Sequence, residues 1–455
     1  MACAATLACA ANSLAADVST NSIANPATPA GQSSTAVQTP AETRQENWNW
    51  HVQNTDIVQG YPAFPSDYSG PNSLPPGGEA RQTVSLDLTF GARLWRGAEA
   101  HVDGLMWQGY GLGHTVGIEA FPNGEAYRVG TTVPNFNFAR VFIRQTIGLG
   151  GQKETVDDDE LHLAGEEDAS RLVLTLGKIS VIDIFDNNSY ANDPRTQFMN
   201  WAFIANEAWD YPADSLGYET GFASELYLPH WAVRYGFFQV PRVSNGLAQD
   251  EHFLEAWGMV TELERDYTLN HHPGAIRFLA YLNHAHMGSY QDAVNNFSQG
   301  GGIDITPTRA YRCKYGFGLN WEQAITDNIG IFSRLGWSDG HTEAWAYTDV
   351  DRSASLGLSV KGAPWHRPDD TYGLAGVVSG ITPIHQQYFA DGGTGILAGD
   401  GALDYSWEKA LETYYDFKIW KTIHAALDYQ SIADPAFNAA RGPVSVFAAR
   451  LHWEF

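Results

Sequence analysis

Asp183, Asp186, Asn187, Asn188, Asp193, Arg195, Gln197 and Asn200 fall within one stretch of chain, interleaved with Phe185, Tyr190, Phe198, Trp201 and Trp209. Carboxylates, amides and a guanidinium together offer the donors and acceptors that adjacent hydroxyls need. Flat aromatic faces pack on the apolar C–H faces of a ring. The combination suits a pyranose. The candidate contact residues are Asp186, Asn187, Asp193, Arg195, Phe198, Asn200 and Trp201. The segment is too polar for a lipid-facing strand and long for a turn, so it is expected to fold inward as a constriction. The competing reading is structural, because Asp193-Pro194-Arg195 is also ordinary turn chemistry with an ion pair.

Elsewhere the chemistry is thinner. His284 and His286 share one strand face, but no Cys or near carboxylate completes a metal set. His271-His272-Pro273-Gly274 reads as a turn. Gly109-Tyr110-Gly111-Leu112-Gly113-His114 lacks the Lys-Ser or Lys-Thr and the strand-to-helix setting of a phosphate loop. The acidic run Asp157-Asp158-Asp159-Glu160, with Glu166-Glu167-Asp168, reads as a solvated extracellular loop, with a calcium or lipopolysaccharide contact as the minor alternative. No Ser/His/Asp or Cys/His arrangement stands out, so no catalytic residue, metal or cofactor is called for.

The elements that carry these residues are narrowed by composition. Of 455 residues, 17% are charged and 13% aromatic, and 45 are Gly. Few charges and many rings disfavour disorder, coiled coil and helical bundle, and favour sheet. A formal charge of −25 repels phosphate backbones, so nucleic acid is excluded as a partner. Cysteines at 3, 9 and 313 cannot make a disulfide framework, and Cys313 is read as unpaired.

Residues 1–16 read as the remnant of a signal peptide, ending in the small residues of Ser13-Leu14-Ala15-Ala16. Residues 17–44 are a Ser/Thr/Pro/Ala linker with too little apolar surface to offset ordering, so this N-terminal segment is predicted to be disordered. From 45 to 455 the texture is uniform: short alternating segments punctuated by Gly, Pro, Asn and Asp.

That alternation has period two. Val84, Leu86, Leu88 and Phe90 oppose Thr83, Ser85, Asp87 and Thr89, and Ala98, Ala100 and Val102 oppose Glu99, His101 and Asp103. Leu411, Thr413, Tyr415, Phe417 and Ile419 oppose Glu412, Tyr414, Asp416 and Lys418. A soluble sandwich also alternates, but its polar faces are rich in Lys and Glu. Here they are mixed, and the apolar faces end in aromatics. Strands of about ten residues tilted by about 45° rise roughly 25 Å, the lipid-facing band of an outer-membrane barrel. A midplane Arg or Lys turned to lipid costs about 2–4 kcal/mol, so the charged faces look inward. Glu99, Asp103, Arg140, Arg144, Arg234 and Arg312 are the lumen-facing candidates. At roughly 23 residues per strand with its loop, the chain supplies about 16 strands, enough to enclose an aqueous channel. The fold class is all-β, a transmembrane antiparallel barrel.

The last strand carries its own signal, with Phe447, Ala449, Leu451, Trp453 and Phe455 on one face and Phe455 as the final residue. Longer motifs carry a family resemblance. They are Phe64-Pro65-Ser66-Asp67-Tyr68 to Leu74, Gly91-Ala92-Arg93-Leu94-Trp95-Arg96-Gly97, and Phe185-Asp186-Asn187-Asn188-Ser189-Tyr190 with Asp193-Pro194-Arg195 and Gln197-Phe198-Met199-Asn200-Trp201. The run from Gly399-Asp400-Gly401 through Leu427-Asp428-Tyr429-Gln430 to Arg441-Gly442-Pro443-Val444 completes them. From Asn47 to Phe455 the chain resembles the carbohydrate-selective outer-membrane porins of the OprB type. The resemblance implies passive diffusion of mono- or oligosaccharides across the outer membrane of a Gram-negative bacterium. It also implies small neutral saccharides, membrane lipid and lipopolysaccharide as partners, and an aromatic-ending last strand, here Phe455, read by the barrel-assembly machinery. Assembly into a homo-oligomer is left open. The alternatives are a secreted all-β carbohydrate hydrolase and a structural or adhesive barrel.

Overall fold

In the computed structural model residues 45–125 and 130–455 are described, so the readings of 1–16 and 17–44 lie outside the described residues. Sixteen strands run in chain order: β1 (Trp48–Tyr61), β2 (Glu79–Trp95), β3 (Ala98–Gly109), β4 (Thr131–Val156), β5 (Gly165–Ile179) and β6 (Glu219–Leu228). Next come β7 (Trp231–Phe238), β8 (Trp257–Leu269), β9 (His272–Met287), β10 (Ala310–Thr326) and β11 (Ile329–Ser338). The wall ends with β12 (Arg352–Gly362), β13 (Arg367–Gly380), β14 (Glu408–Trp420), β15 (Ile423–Ala433) and β16 (Val444–Glu454). Each pairs with its sequence neighbours, and β1 pairs antiparallel with β16 to close the barrel. At the seam the Val52 N–H donates to the Phe455 carbonyl at 3.0 Å, and the Phe455 N–H donates back at 2.8 Å.

The alternation sorts as lipid demands. On β2 Leu88 and Phe90 are exposed while Thr83, Ser85, Asp87 and Thr89 are buried; on β16 Phe447 and Leu451 are exposed while Arg450 and His452 are buried. Exposed Trp48, Trp95, Trp231 and Trp420 ring one end, and exposed Trp407 stands at the other, as amphipathic indoles do at membrane rims. One end carries turns of two to four residues, including the two-residue Lys421-Thr422, and the longer β4–β5 connection 157–164, together with both ends of the wall. The other carries the long connections 110–130, 180–218, 288–309, 339–351 and 381–407. Short turns mark the periplasmic end.

Three expectations are corrected. The lumen is not simply filled with water, because the long loops fold into it and build apolar clusters of their own, one around Phe185, Trp201, Tyr211 and Tyr347. Inward carboxylates are satisfied by the backbone N–H groups of those loops. Glu408, for example, accepts from Ala120 N at 2.7 Å and Glu119 N at 3.1 Å. The acidic run 157–160 is not in an extracellular loop. It joins the long β4–β5 hairpin at the short-turn end and folds back into the barrel mouth, where Asn49 Nδ2 donates to Asp158 at 2.6 Å and to the Asp159 carbonyl at 3.0 Å. Finally, Cys313 is disulfide-bonded rather than unpaired.

Candidate functional site

Loop 180–218, between β5 and β6, enters the barrel from the extracellular end and is hung on charged side chains of the wall. Glu262 of β8 accepts from Asp186 N at 2.7 Å, and Glu322 of β10 accepts from Ser189 N at 2.6 Å. Glu412 of β14 accepts from Met199 N at 2.7 Å and Asn200 N at 3.0 Å. From β16 Arg450 donates to the Pro194 and Gln197 carbonyls at 2.7 and 2.8 Å. Arg334 of β11 pairs with Asp186 at 3.0 Å and donates to the Phe203 carbonyl at 2.6 Å. Irregular backbone inside a barrel needs such partners. The wall also makes room: a Cβ on Gly330 would lie 2.0 Å from the Tyr190 ring, so a larger residue there would push that ring aside.

Held this way, the loop carries Arg195 into the lumen beside Asp87 of β2. Arg195 Nε donates to Glu125 at 2.8 Å, one terminal nitrogen pairs with Asp87 of β2 at 3.0 Å, and the other lies 3.9 Å from Glu160. Burial alone would lower its pKa, but Asp87, Glu125 and Glu160 together hold the guanidinium well above its ordinary value. Glu160 comes from the periplasmic hairpin, and burial pushes its carboxyl up against the opposing pull of Arg195 and Arg140. Arg140 of β4 grips Asp183 with two bonds of 2.8 Å and Asp103 of β3 with a third of 2.8 Å.

Between these two guanidiniums lies a cavity of about 260 Å³, lined also by Asp193, Trp107, Trp201, Tyr211, Tyr218 and Tyr347. Trp107 stacks on Tyr218 with centroids 6.4 Å apart, and the Arg140 guanidinium stands 5.3 Å from the Tyr218 centroid. Trp201 is sandwiched between Phe121 at 5.3 Å and Tyr347 at 4.8 Å. The arrangement sets ring faces beside paired charges, which is the equipment for holding a hydroxylated ring.

Of the constriction residues expected from sequence, Asp193, Arg195 and Trp201 line this cavity. The others sit elsewhere. Asp186 is buried against Arg334, and the Asn187 carbonyl accepts from Asn320 at 3.1 Å. Phe198 packs among Phe203, Phe332 and Tyr414, and Asn200 caps the short helix α1 (Trp201–Ile204) through Ala202 N at 3.0 Å. Of the lumen-facing set, Glu99, Asp103, Arg144 and Arg234 are buried on the inner face, and Arg140 lines the cavity. Arg312 stands at the extracellular rim, paired with Asp292 at 3.0 Å. Trp107 and Glu160 were missed. Continuing the β3 alternation from Glu99 and Asp103 two steps further reaches Trp107; nothing local in the acidic run marks Glu160. Among the described residues no three His, Cys, Asp or Glu side chains are grouped to hold a metal.

Closure removes every free sheet edge, and only a wall without edges stands in lipid, so the fold defines an outer-membrane channel of the porin class. Residues 72–455 match the carbohydrate-selective porins of the OprB family, and the chain belongs to that family. Among solved structures, the high-pH structure of Pseudomonas putida OprB is similar at 16% identity with a TM-score of 0.67, over 90% of this chain and 94% of that one. The low-pH structure of the same protein gives 13%, 0.48, 90% and 93%. OccK2 of Pseudomonas aeruginosa gives 8%, 0.44, 90% and 97%. None of the curated proteins compared with the chain matches it. The protein is a porin for passive diffusion of sugars across the outer membrane of a Gram-negative bacterium, and the secreted hydrolase reading falls with the closed barrel.

Proposed function

We propose that the neck between Arg195 and Arg140 is where this porin sorts mono- and oligosaccharides. The observation that carries the reading is one cavity of about 260 Å³ lined both by aromatic rings and by hydrogen-bonding charges. Trp107 and Tyr218 offer a stacking face, while Asp193, Glu125 and Arg195 offer donors and acceptors for neighbouring hydroxyls. The charges are already paired with one another, so a neutral sugar exchanges partners without stranding a charge.

The test is sugar block of ion current in planar bilayers. Arg195→Ala removes a cation from among Asp87, Glu125 and Glu160, so cation preference should rise and sugar block should weaken. Trp107→Leu should weaken the block with little change in ion preference. A stacked aromatic contact is worth about 1 kcal/mol, which is roughly a fivefold rise in half-blocking concentration. Trp201→Ala should weaken it too, while also opening the packed cluster with Phe121 and Tyr347. Parent-like conduction and block in both Arg195→Ala and Trp107→Leu would move the constriction elsewhere.

The exposed aromatic face of β16 likewise supports recognition by the barrel-assembly machinery, and the outward apolar rows support contact with lipid and lipopolysaccharide.

A further inference from the structure

We infer that this neck favours saccharides carrying a protonated amine over neutral ones, and that Glu160, delivered from the periplasmic hairpin, sets the preference. The inference rests on the neck being the sugar-sorting site.

Charge is the first observation. Among the described residues, Glu125, Glu160, Asp183, Asp193 and Glu454 line the cavity with Arg140 and Arg195 as its cations. Neither guanidinium is free to offer an anion a place, since Arg140 is held by Asp103 and Asp183 and Arg195 by Asp87 and Glu125. A permeating carboxylate therefore meets surplus negative charge in a confined, poorly screened space, and a permeating ammonium meets attraction.

The second observation is independent of charge. Trp107 and Trp201 both line the cavity and are more than nine-tenths buried, yet among the described residues neither indole Nε1–H has an acceptor. Buried donors without partners are uncommon in folded proteins. A ring hydroxyl in the cavity supplies the missing acceptor. Hydroxyls for the indoles and an ammonium for the carboxylates together describe an amino sugar.

Glu160 is singled out by its spare capacity. Both oxygens of Glu125 are used, by Ser85 at 2.6 Å and Arg195 at 2.8 Å, and both oxygens of Asp183 are used by Arg140. Asp193 is spent on Arg195 N and Thr196 within its own turn. Glu454 belongs to the rim, 59% exposed. Glu160 engages Gln53 and, at 3.9 Å, Arg195 through Oε1, and among the described residues no hydrogen bond is made to its Oε2. With its side chain 29% exposed, it can accept from a cation without breaking an existing pair.

Liposome swelling with purified barrels tests this, using glucosamine at neutral pH, glucose as the neutral analogue of similar size, and glucuronate. The parent should pass glucosamine several-fold faster than glucose, and glucuronate slowest. In Glu160→Gln, which keeps the side-chain shape, the glucosamine-to-glucose ratio should fall toward one. A salt-gradient reversal potential should show cation preference in the parent and a smaller one in the variant. Swelling with glucose but no faster with glucosamine overturns the preference alone, and an unchanged ratio in Glu160→Gln overturns the assignment to Glu160. Liposomes that swell with no sugar overturn the sorting neck, and the preference with it.

Discussion

Arg334→Ala should conduct ions several-fold better than the parent and lose sugar block. Arg334 is fully buried on β11, where it pairs with Asp186 and donates to the backbone carbonyls of Phe203, at 2.6 Å, and Asp186, at 2.9 Å. It fastens both the outgoing limb of loop 180–218 and the helix α1 that positions Trp201. Alanine leaves the Asp186 carboxylate buried with only Asn206 N and Asn320 Nδ2 as partners, at 2.7 and 2.8 Å. Breaking one partner out of a buried ion pair costs about 3–5 kcal/mol, against about 1 kcal/mol for each remaining hydrogen bond. Undocking the loop relieves that cost, because it returns Asp186 to water. The wall does not depend on the loop for its own ladder of backbone bonds, so the barrel persists while the neck widens. Single-channel recording reads this directly. Pairing Arg334→Ala with Asp186→Asn removes the stranded charge and should restore part of the parental conductance. Parental conductance and block in Arg334→Ala alone would show that the other anchors, at Glu262, Glu322, Glu412 and Arg450, suffice.

The barrel was legible in the sequence because lipid imposes a single rule on one face of every strand. Leu88 and Phe90 against Asp87 and Thr89, or Phe447 and Leu451 against Arg450 and His452, satisfy that rule without reference to any distant residue. β7 and β11 are harder to phase from sequence, because Phe238 and Gly236 of β7 and Phe332 and Gly336 of β11 put aromatic and small residues on the inward face as well. Within the neck, composition located the segment but not its members. Phe198 and Trp201 are three residues apart and equally aromatic, yet the turn into α1 sends one to the wall beside Phe332 and Tyr414 and leaves the other on the cavity. Glu160 was illegible for a different reason. Its capture at the mouth depends on Asn49 and Gln53, more than a hundred residues away, and an acidic run carries no mark of the end at which it lies. The filled lumen follows the same logic, since carboxylates such as Glu412 look like water-facing residues until the loop N–H groups that satisfy them are placed.

Phe455→Ala should lower the amount of barrel in the outer membrane several-fold while leaving the stability of the barrel that does insert unchanged. The two effects separate because of how Phe455 is built in. Its backbone closes the seam through both bonds to Val52, and alanine keeps those. Its ring is 61% exposed and touches mainly Trp453, with centroids 5.4 Å apart, so removing it opens no cavity in the wall. Surface changes of that kind stay within about 0.5 kcal/mol. A large fall in inserted protein therefore reports a step before folding is complete, at which the phased row of Phe447, Leu451, Trp453 and Phe455 is read while still exposed. Deleting Phe455 instead also removes the two seam bonds, worth about 1 kcal/mol each, and should lower stability as well as yield. The measurement is the heat-modifiable band of the outer-membrane fraction at matched synthesis, together with the unfolding midpoint of purified barrel. Equal yield in Phe455→Ala would make the terminal ring incidental, and a yield that falls together with the midpoint would make it structural.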